Sequence, residues 1–204
     1  QTAVVAMAAE YCEADHVTFM ARQARGLVSL ALTEERCEQL NLPPMVDPAT
    51  SGAVKLSIEA STGIDTGISA ADRARTVRVA VAPDAKPSEL VQPGHIFPVA
   101  TLTGGVLIRT GAAEAGVDLA TLAGLTPAAV FAEVLDANGD LANAAALVDF
   151  ADKHYLTVGR VTDLVDYRLN HYRTVDLIRS GTVPTRHGDF MLSVYQESTQ
   201  GHVH

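Results

Sequence analysis

Apolar positions in this chain change period several times, and each change marks an element. Val17, Met20, Ala21 and Ala24 share one face at helical spacing, with Gly26 as a stop signal just beyond. Leu27 to Leu32 is an apolar run of strand length, and Thr33 can cap a short helix to about Leu40. Asn41 to Ser51, with Pro43, Pro44 and Pro48, reads as loop. Val54, Leu56 and Ile58 alternate with Lys55, Ser57 and Glu59, the pattern of a half-buried strand. Ser69-Ala70-Ala71-Asp72 places a hydroxyl and a carboxylate as a helix start does.

The second half continues the alternation. Pro87 to Pro98 predicts a proline-rich connection, and Gly104 to Arg109 a short strand leaving a tight turn. Ala112 to Leu122 predicts a helix that Gly124 can end, and Ala128 to Leu135 a strand. Leu141 to Lys153 reads as a helix, Leu156 to Val161 as a strand, and Thr162 as the cap of a helix through about Arg173. Helices alternating with strands predict a layered α/β domain. Composition then shifts at Ser180-Gly181-Thr182-Val183-Pro184-Thr185, and Gly188 to Tyr195 reads as a lone strand. The expected division is therefore residues 1–175 as one domain and 176–204 as a linker with the start of something longer. The first residue is Gln1 rather than Met, which fits a cropped or processed chain.

Charge narrows the partners. Lys and Arg total 15 against 24 Asp and Glu, a net charge of −9. Nucleic acid and membrane headgroups call for basic patches, so neither is expected as a main partner. A small anionic metabolite needs only a local group of arginines and stays open. No apolar run approaches the roughly 18 residues of a membrane span. Cys12 and Cys37 stand in no metal-type spacing and read as two reduced thiols of a cytoplasmic protein.

Five segments occur in order: Met7-Ala8-Ala9-Glu10, Thr66-Gly67-Ile68-Ser69-Ala70-Ala71-Asp72-Arg73, Pro93-Gly94-His95-Ile96-Phe97-Pro98, Gly104-Gly105-Val106-Leu107 and Asp118-Leu119-Ala120-Thr121-Leu122-Ala123-Gly124. Each alone is weak; together, at this spacing, they resemble the 3,4-dihydroxy-2-butanone 4-phosphate synthase family over about residues 1 to 175. Thr182 to Phe190 is similar to the opening of the GTP cyclohydrolase II domain fused behind that synthase in bifunctional riboflavin proteins. The resemblance implies a sandwich with a mixed sheet flanked by helices, assembled as a homodimer. It also implies a lyase that converts ribulose 5-phosphate into formate and dihydroxybutanone phosphate. Such chemistry needs a hard cation, Mg²⁺ in the family, together with acids and bases within hydrogen-bond reach and a cationic grip on phosphate.

The resemblance assigns His95 and Glu133 to catalysis and Arg109 to the substrate phosphate. Ser29, Asp72 and Arg73 fall at further substrate-side positions, although capping and an ion pair account for Asp72 and Arg73 equally well. A carboxylate such as Glu133 in an apolar strand is costly to bury without a purpose. Other positions depart from the family pattern. The Asn-Glu-Gly-Asp part of its acidic loop falls on Gln1-Thr2-Ala3-Val4, where carboxylates are absent at Thr2 and Val4, and the family's metal-binding glutamate would fall one residue before Gln1. The family's Gly-His-Thr-Glu reads Gly111-Ala112-Ala113-Glu114, and alanine neither ligates a cation nor donates to phosphate. Ser29 stands for a common cysteine, Asp65 for a usual threonine, and the Thr50–Ser57 loop is shorter. These losses lead to three expectations: no metal cofactor, a remodelled site, and the parent activity lost or replaced by metal-independent chemistry on a related small molecule. The alternatives are a non-catalytic partner of riboflavin enzymes and a weak but genuine synthase.

Overall fold

A computed structural model describes residues 3–46, 53–173 and 175–197. Strands β1 (Val4–Ala8), β2 (Ser29–Thr33), β3 (Ile58–Ala60), β4 (Leu90–Thr101) and β5 (Ala128–Glu133) form one sheet in the order β1-β5-β2-β4-β3. β2 and β4 run parallel, while the pairs β1–β5, β2–β5 and β3–β4 are antiparallel. Helices α1 (Ala14–Phe19), α2 (Glu34–Gln39), α3 (Ala70–Val81), α4 (Ala112–Leu122), α5 (Ala144–Lys153) and α6 (Val161–His171) complete the domain. This is the expected α/β class, a mixed sheet flanked by helices.

Side chains alternate across the sheet and divide between two apolar cores. Leu30 and Leu32 of β2, Val130 and Ala132 of β5, and Ile96 of β4 face the larger core, which contains Val77 and Ala80 of α3 and Val17 and Met20 of the first helical segment. Ala31, Ala129 and Phe131 face the smaller one, covered by Ala113 and Val117 of α4. Gly116 lets α4 sit this close, because a Cβ there would lie 2.7 Å from that of Ala129. Cys12 and Cys37 are free and buried, and burial pushes both thiols up to about 11.

Two expected helix caps hold and one does not: α6 begins at Val161 behind Arg160, so Thr162 lies inside that helix instead of capping it. Thr33 Oγ1 accepts Arg36 N–H, and Ser69 Oγ accepts Asp72 N–H. α1 passes into a π-helical turn over Met20–Ala24 and ends at Arg25 with φ 68°. α5 begins behind Asn143, later than Leu141, because the Asn143 side chain accepts Ala146 N–H.

Four expectations are corrected. The Pro87–Pro98 connection is mostly the twelve-residue strand β4. Pro98 is tolerated because its carbonyl accepts Lys55 N–H on the side away from β2, so the missing proline N–H takes nothing from the β2 ladder. Gly104–Arg109 is not a strand: Gly104 and Gly105 take φ 96° and 60°, and a 3-10 turn follows over Gly105–Leu107. The segment 156–160 has no strand partner and leaves Val158 exposed. Between Val54 and Ile58 the alternation misleads, since Lys55 and Ser57 are buried and only Ile58–Ala60 becomes a strand.

Two strands escaped the pattern. β1 is an edge strand whose small residues carry little period. Val175–Thr185, read as a linker, is strand β6, paired along its length with β7 (Gly188–Glu197). Thr2 and the shortened loop at Thr50-Ser51-Gly52 lie outside the described residues.

Candidate active site

At one end of the sheet, the face under α4 gathers side chains from all five strands. Glu133 continues the Ala129–Phe131 set of β5, and Val4 lies opposite it on β1. Ser29 precedes Ala31 on the same face of β2 and aligns with Phe131 of β5 and Phe97 of β4. His95, two residues before Phe97, carries that face of β4 outward. There its Nδ1 meets Glu59 Oε1 of β3 at 2.5 Å. The His95 side chain is 41% exposed and that of Glu59 only 16%, so the imidazole reaches solvent while its partner is largely covered.

Local sequence explains these placements. Gly94 brings β4 against β3: a Cβ there would lie 2.2 Å from the Ile58 carbonyl, and Gly94 N–H donates to Ser57 Oγ. Gly26 does the same for Glu133, since a Cβ there would lie 2.2 Å from the Glu133 carbonyl oxygen. Ser29 is buried, and its hydroxyl donates at 3.4 Å to the Leu27 carbonyl.

Arg109 stands in the loop that leads into α4. Its Nε donates to Glu114 Oε1 at 2.8 Å, its Nη2 donates to the same oxygen, and Nη2 also reaches the Ala100 carbonyl. Glu114 is 1% exposed, so half of the guanidinium fork serves a buried carboxylate that also accepts Leu102 N–H. Ala112 and Ala113 are the first two residues of α4, and Ala113 is committed to packing.

Asp72 and Arg73 stand at the start of α3, off the strands that carry His95 and Glu133. Asp72 accepts the backbone N–H groups of Asp65, Thr66 and Gly67. Burial works to raise its pKa, but hydrogen bonds from Ser69 and these amides outweigh it and hold the carboxyl below the usual aspartate value. The Arg73 Nε is buried without a partner among the described residues, and burial lowers this guanidinium's pKa. Glu10 and Asp118, from two of the family-like segments, are bracing groups. Glu10 accepts Thr126 N–H, while Asp118 accepts Val106 N–H and pairs with Arg168 of α6.

Glu59 is the residue that sequence reasoning passed over. In the pattern it is one more polar position on a half-buried strand, and only the β3–β4 pairing shows that it meets His95. A cavity of about 240 Å³ lies at the other end of the sheet, between Leu32, Arg36, Val81 and Ala128. Its arginine is bound to the Val81 and Ala82 carbonyls, and none of the residues assigned to chemistry lines it.

A model of the family described as 3,4-dihydroxy-2-butanone 4-phosphate synthase matches residues 1–167. A 3,4-dihydroxy-2-butanone 4-phosphate synthase of Pseudomonas syringae pv. tomato is 50% identical over 201 residues, 97% of this chain and 54% of that protein. The riboflavin biosynthesis protein RibBA of Aquifex aeolicus is 45% identical over 200 residues, covering 96% of this chain and 49% of the relative. The chain thus spans about half the length of these curated relatives. Among solved structures, RibBX, a two-domain 3,4-dihydroxy-2-butanone 4-phosphate synthase from A. baumannii, superposes with a TM-score of 0.89 at 46% identity, over 98% of this chain and 60% of the other. A 3,4-dihydroxy-2-butanone 4-phosphate synthase in complex with two magnesium ions gives 0.78 at 36% identity, over 83% and 86%.

Magnesium in that relative prompts a test of fit here. Ala112, where the family motif has a histidine ligand, carries no side-chain lone pair, and Val4 stands where the family has a nearby carboxylate. Among the described residues, no group of three or more His, Cys, Asp or Glu side chains is placed to hold a metal ion.

Proposed function

The chain belongs to the 3,4-dihydroxy-2-butanone 4-phosphate synthase family, and on that premise we propose that it binds the family's substrate class, a ketose phosphate, and moves protons on it with His95 and Glu133. The observation that carries this reading is that strand alternation and register put His95, Glu133 and Ser29 on the sheet face that α4 covers, toward one end of the sheet. An imidazole that reaches solvent and a carboxylate on the same face are the two kinds of group that enolisation beside a carbonyl requires. Arg109, still half-exposed, contributes the unused side of its guanidinium to the phosphate.

Release of formate is the step we propose to be curtailed. Metal polarisation supplies several kcal/mol of transition-state stabilisation, and each ~1.4 kcal/mol is tenfold in rate. Alanine at 112 and 113 and valine at 4 therefore predict a rate lower than the family's by on the order of a thousandfold. The test is a formate assay on ribulose 5-phosphate with added Mg²⁺, run beside solvent-deuterium exchange into the same substrate. Exchange with only a trace of formate is the expected result; robust formate release overturns the curtailed step. Identity of 50% to a synthase along nearly the whole chain favours a second reading, full synthase activity, and the same assay separates the two. A protein that neither exchanges nor releases formate would overturn the catalytic reading.

The wider assembly is part of the proposal. Residues 1–175 form the synthase-like domain, and 176–204 open a second unit, supported by a hairpin whose β6 residues are all exposed. A homodimer follows from family habit, and a light-scattering mass near one protomer would exclude it. Among the described residues no helix is long and apolar enough to cross a membrane, and a cytoplasmic location is the reading we propose alongside.

A further inference from the structure

We propose that Glu59 is the positioning residue for His95, fixing the imidazole as its Nδ1–H tautomer with Nε2 bare, and that Asp72 holds Glu59 in place through the 65–67 loop. The inference rests on the reading of His95 as a proton-transfer group. An ionised carboxylate only accepts hydrogen bonds, so an Nδ1 at 2.5 Å from Glu59 Oε1 must carry the proton. In the neutral ring the lone pair then sits on Nε2, the nitrogen left for a substrate C–H or O–H. Glu59 is the more covered of the two, so the pair is anchored from the protein side and open on the histidine side.

The anchoring extends one step further. Gly67 has φ +75°, and the Glu59 carboxylate fills the space that a Cβ on Gly67 would occupy. What keeps Gly67 there is Asp72, whose Oδ2 accepts Thr66 N–H at 3.2 Å and Gly67 N–H at 3.0 Å, while Oδ1 takes Asp65 N–H at 3.4 Å. Asp72 is itself set at the start of α3 by its backbone bond to Ser69. The Thr66–Arg73 and Pro93–Pro98 segments, far apart in the chain, thus meet at Glu59, a residue in neither. The family-like aspartate acts through two intermediates rather than on substrate.

Long-range ¹H–¹⁵N spectra of the full chain, followed with rising pH until the ring signals stop moving, read the ring directly, with His95→Gln assigning the signal. The unmodified protein is expected to show His95 protonated on Nδ1 alone. Glu59→Ala and the near-isosteric Glu59→Gln are both expected to lose that exclusive form, and Glu59→Asp to retain part of it. Asp72→Asn should speed amide exchange at Thr66 and Gly67 by on the order of tenfold and leave His95 a mixture of tautomers. Deuterium exchange into ribulose 5-phosphate should fall on the order of tenfold or more in Glu59→Ala, with partial recovery in Glu59→Asp. Nε2-protonated His95 in the unmodified protein, or an unchanged Nδ1–H form in both Glu59→Ala and Glu59→Gln, overturns the proposal. The expected tautomers in a protein that exchanges no substrate hydrogen would uphold the positioning role and reject the reading of the site.

Discussion

Asp72, Glu114 and Glu59 show at the scale of single residues how this protein uses its carboxylates. Each is covered to some degree, and each is satisfied by donors from a different stretch of chain: loop amides for Asp72, an arginine fork for Glu114, an imidazole for Glu59. A covered carboxylate without such donors would cost several kcal/mol, so these bonds decide where the loops lie. The prediction at this scale concerns acid. The Asp72 carboxyl is held below the ordinary aspartate value of 3.8, so its folded form binds a proton less readily than its unfolded form. Its stabilising share is therefore present above that value and drains away as pH falls through the lowered folded value. Urea midpoints between about pH 6 and about pH 3 should fall less steeply in Asp72→Asn than in the parent. Parallel slopes would show that Asp72 plays no part in acid sensitivity.

Elements here are brought together by glycine at the points of closest approach. Gly26 and Gly94 each face a neighbouring backbone atom at a distance no Cβ can hold, and Gly116 of α4 faces the Ala129 Cβ of β5 nearly as closely. These are sites where the next larger residue forces the backbone itself to move, which typically costs about 1–3 kcal/mol. Gly26→Ala is the informative case, because what it displaces is the Glu133 carbonyl. It is expected to lower stability by about 2 kcal/mol in urea unfolding and to reduce substrate exchange beyond what the stability loss explains. A variant as stable and as active as the parent would mean that Glu133 does not depend on this contact.

For the whole molecule, the sheet domain and the terminal hairpin differ in kind. The domain has two apolar cores on opposite faces of its sheet. The hairpin pairs β6 with β7 and exposes Leu177, Ile178, Phe190, Met191 and Leu192. A two-stranded ribbon is marginal alone in water, and little of the domain's stability can come from it. A chain ending after Arg173 is expected to melt within about 2 °C of the parent by circular dichroism. A drop of ten degrees would show the hairpin to be part of the domain's own core.

By itself the sequence determined the helix caps at Thr33 and Ser69, the buried strands and the family. Those signals are local: Thr33 and Ser69 hold caps within three residues, the apolar runs at β2 and β5 need no knowledge of their partners, and five ordered segments mark the kinship. The same locality misread Pro87–Pro98 and Val175–Thr185, because a strand with few apolar alternations is recognised only by the strand beside it. The candidate site divides in the same way. Its chemistry-bearing types, His95, Glu133 and Arg109, were legible as residues in motifs. That Glu114 would occupy half of Arg109, that Asp72 would bind a loop, and that Glu59 would meet His95 36 residues on were not. Those pairings are set by the β3–β4 register and by the folding of α3 and α4 onto the sheet. A hydrogen bond between distant residues has no period in the chain, so only the tertiary structure could decide it.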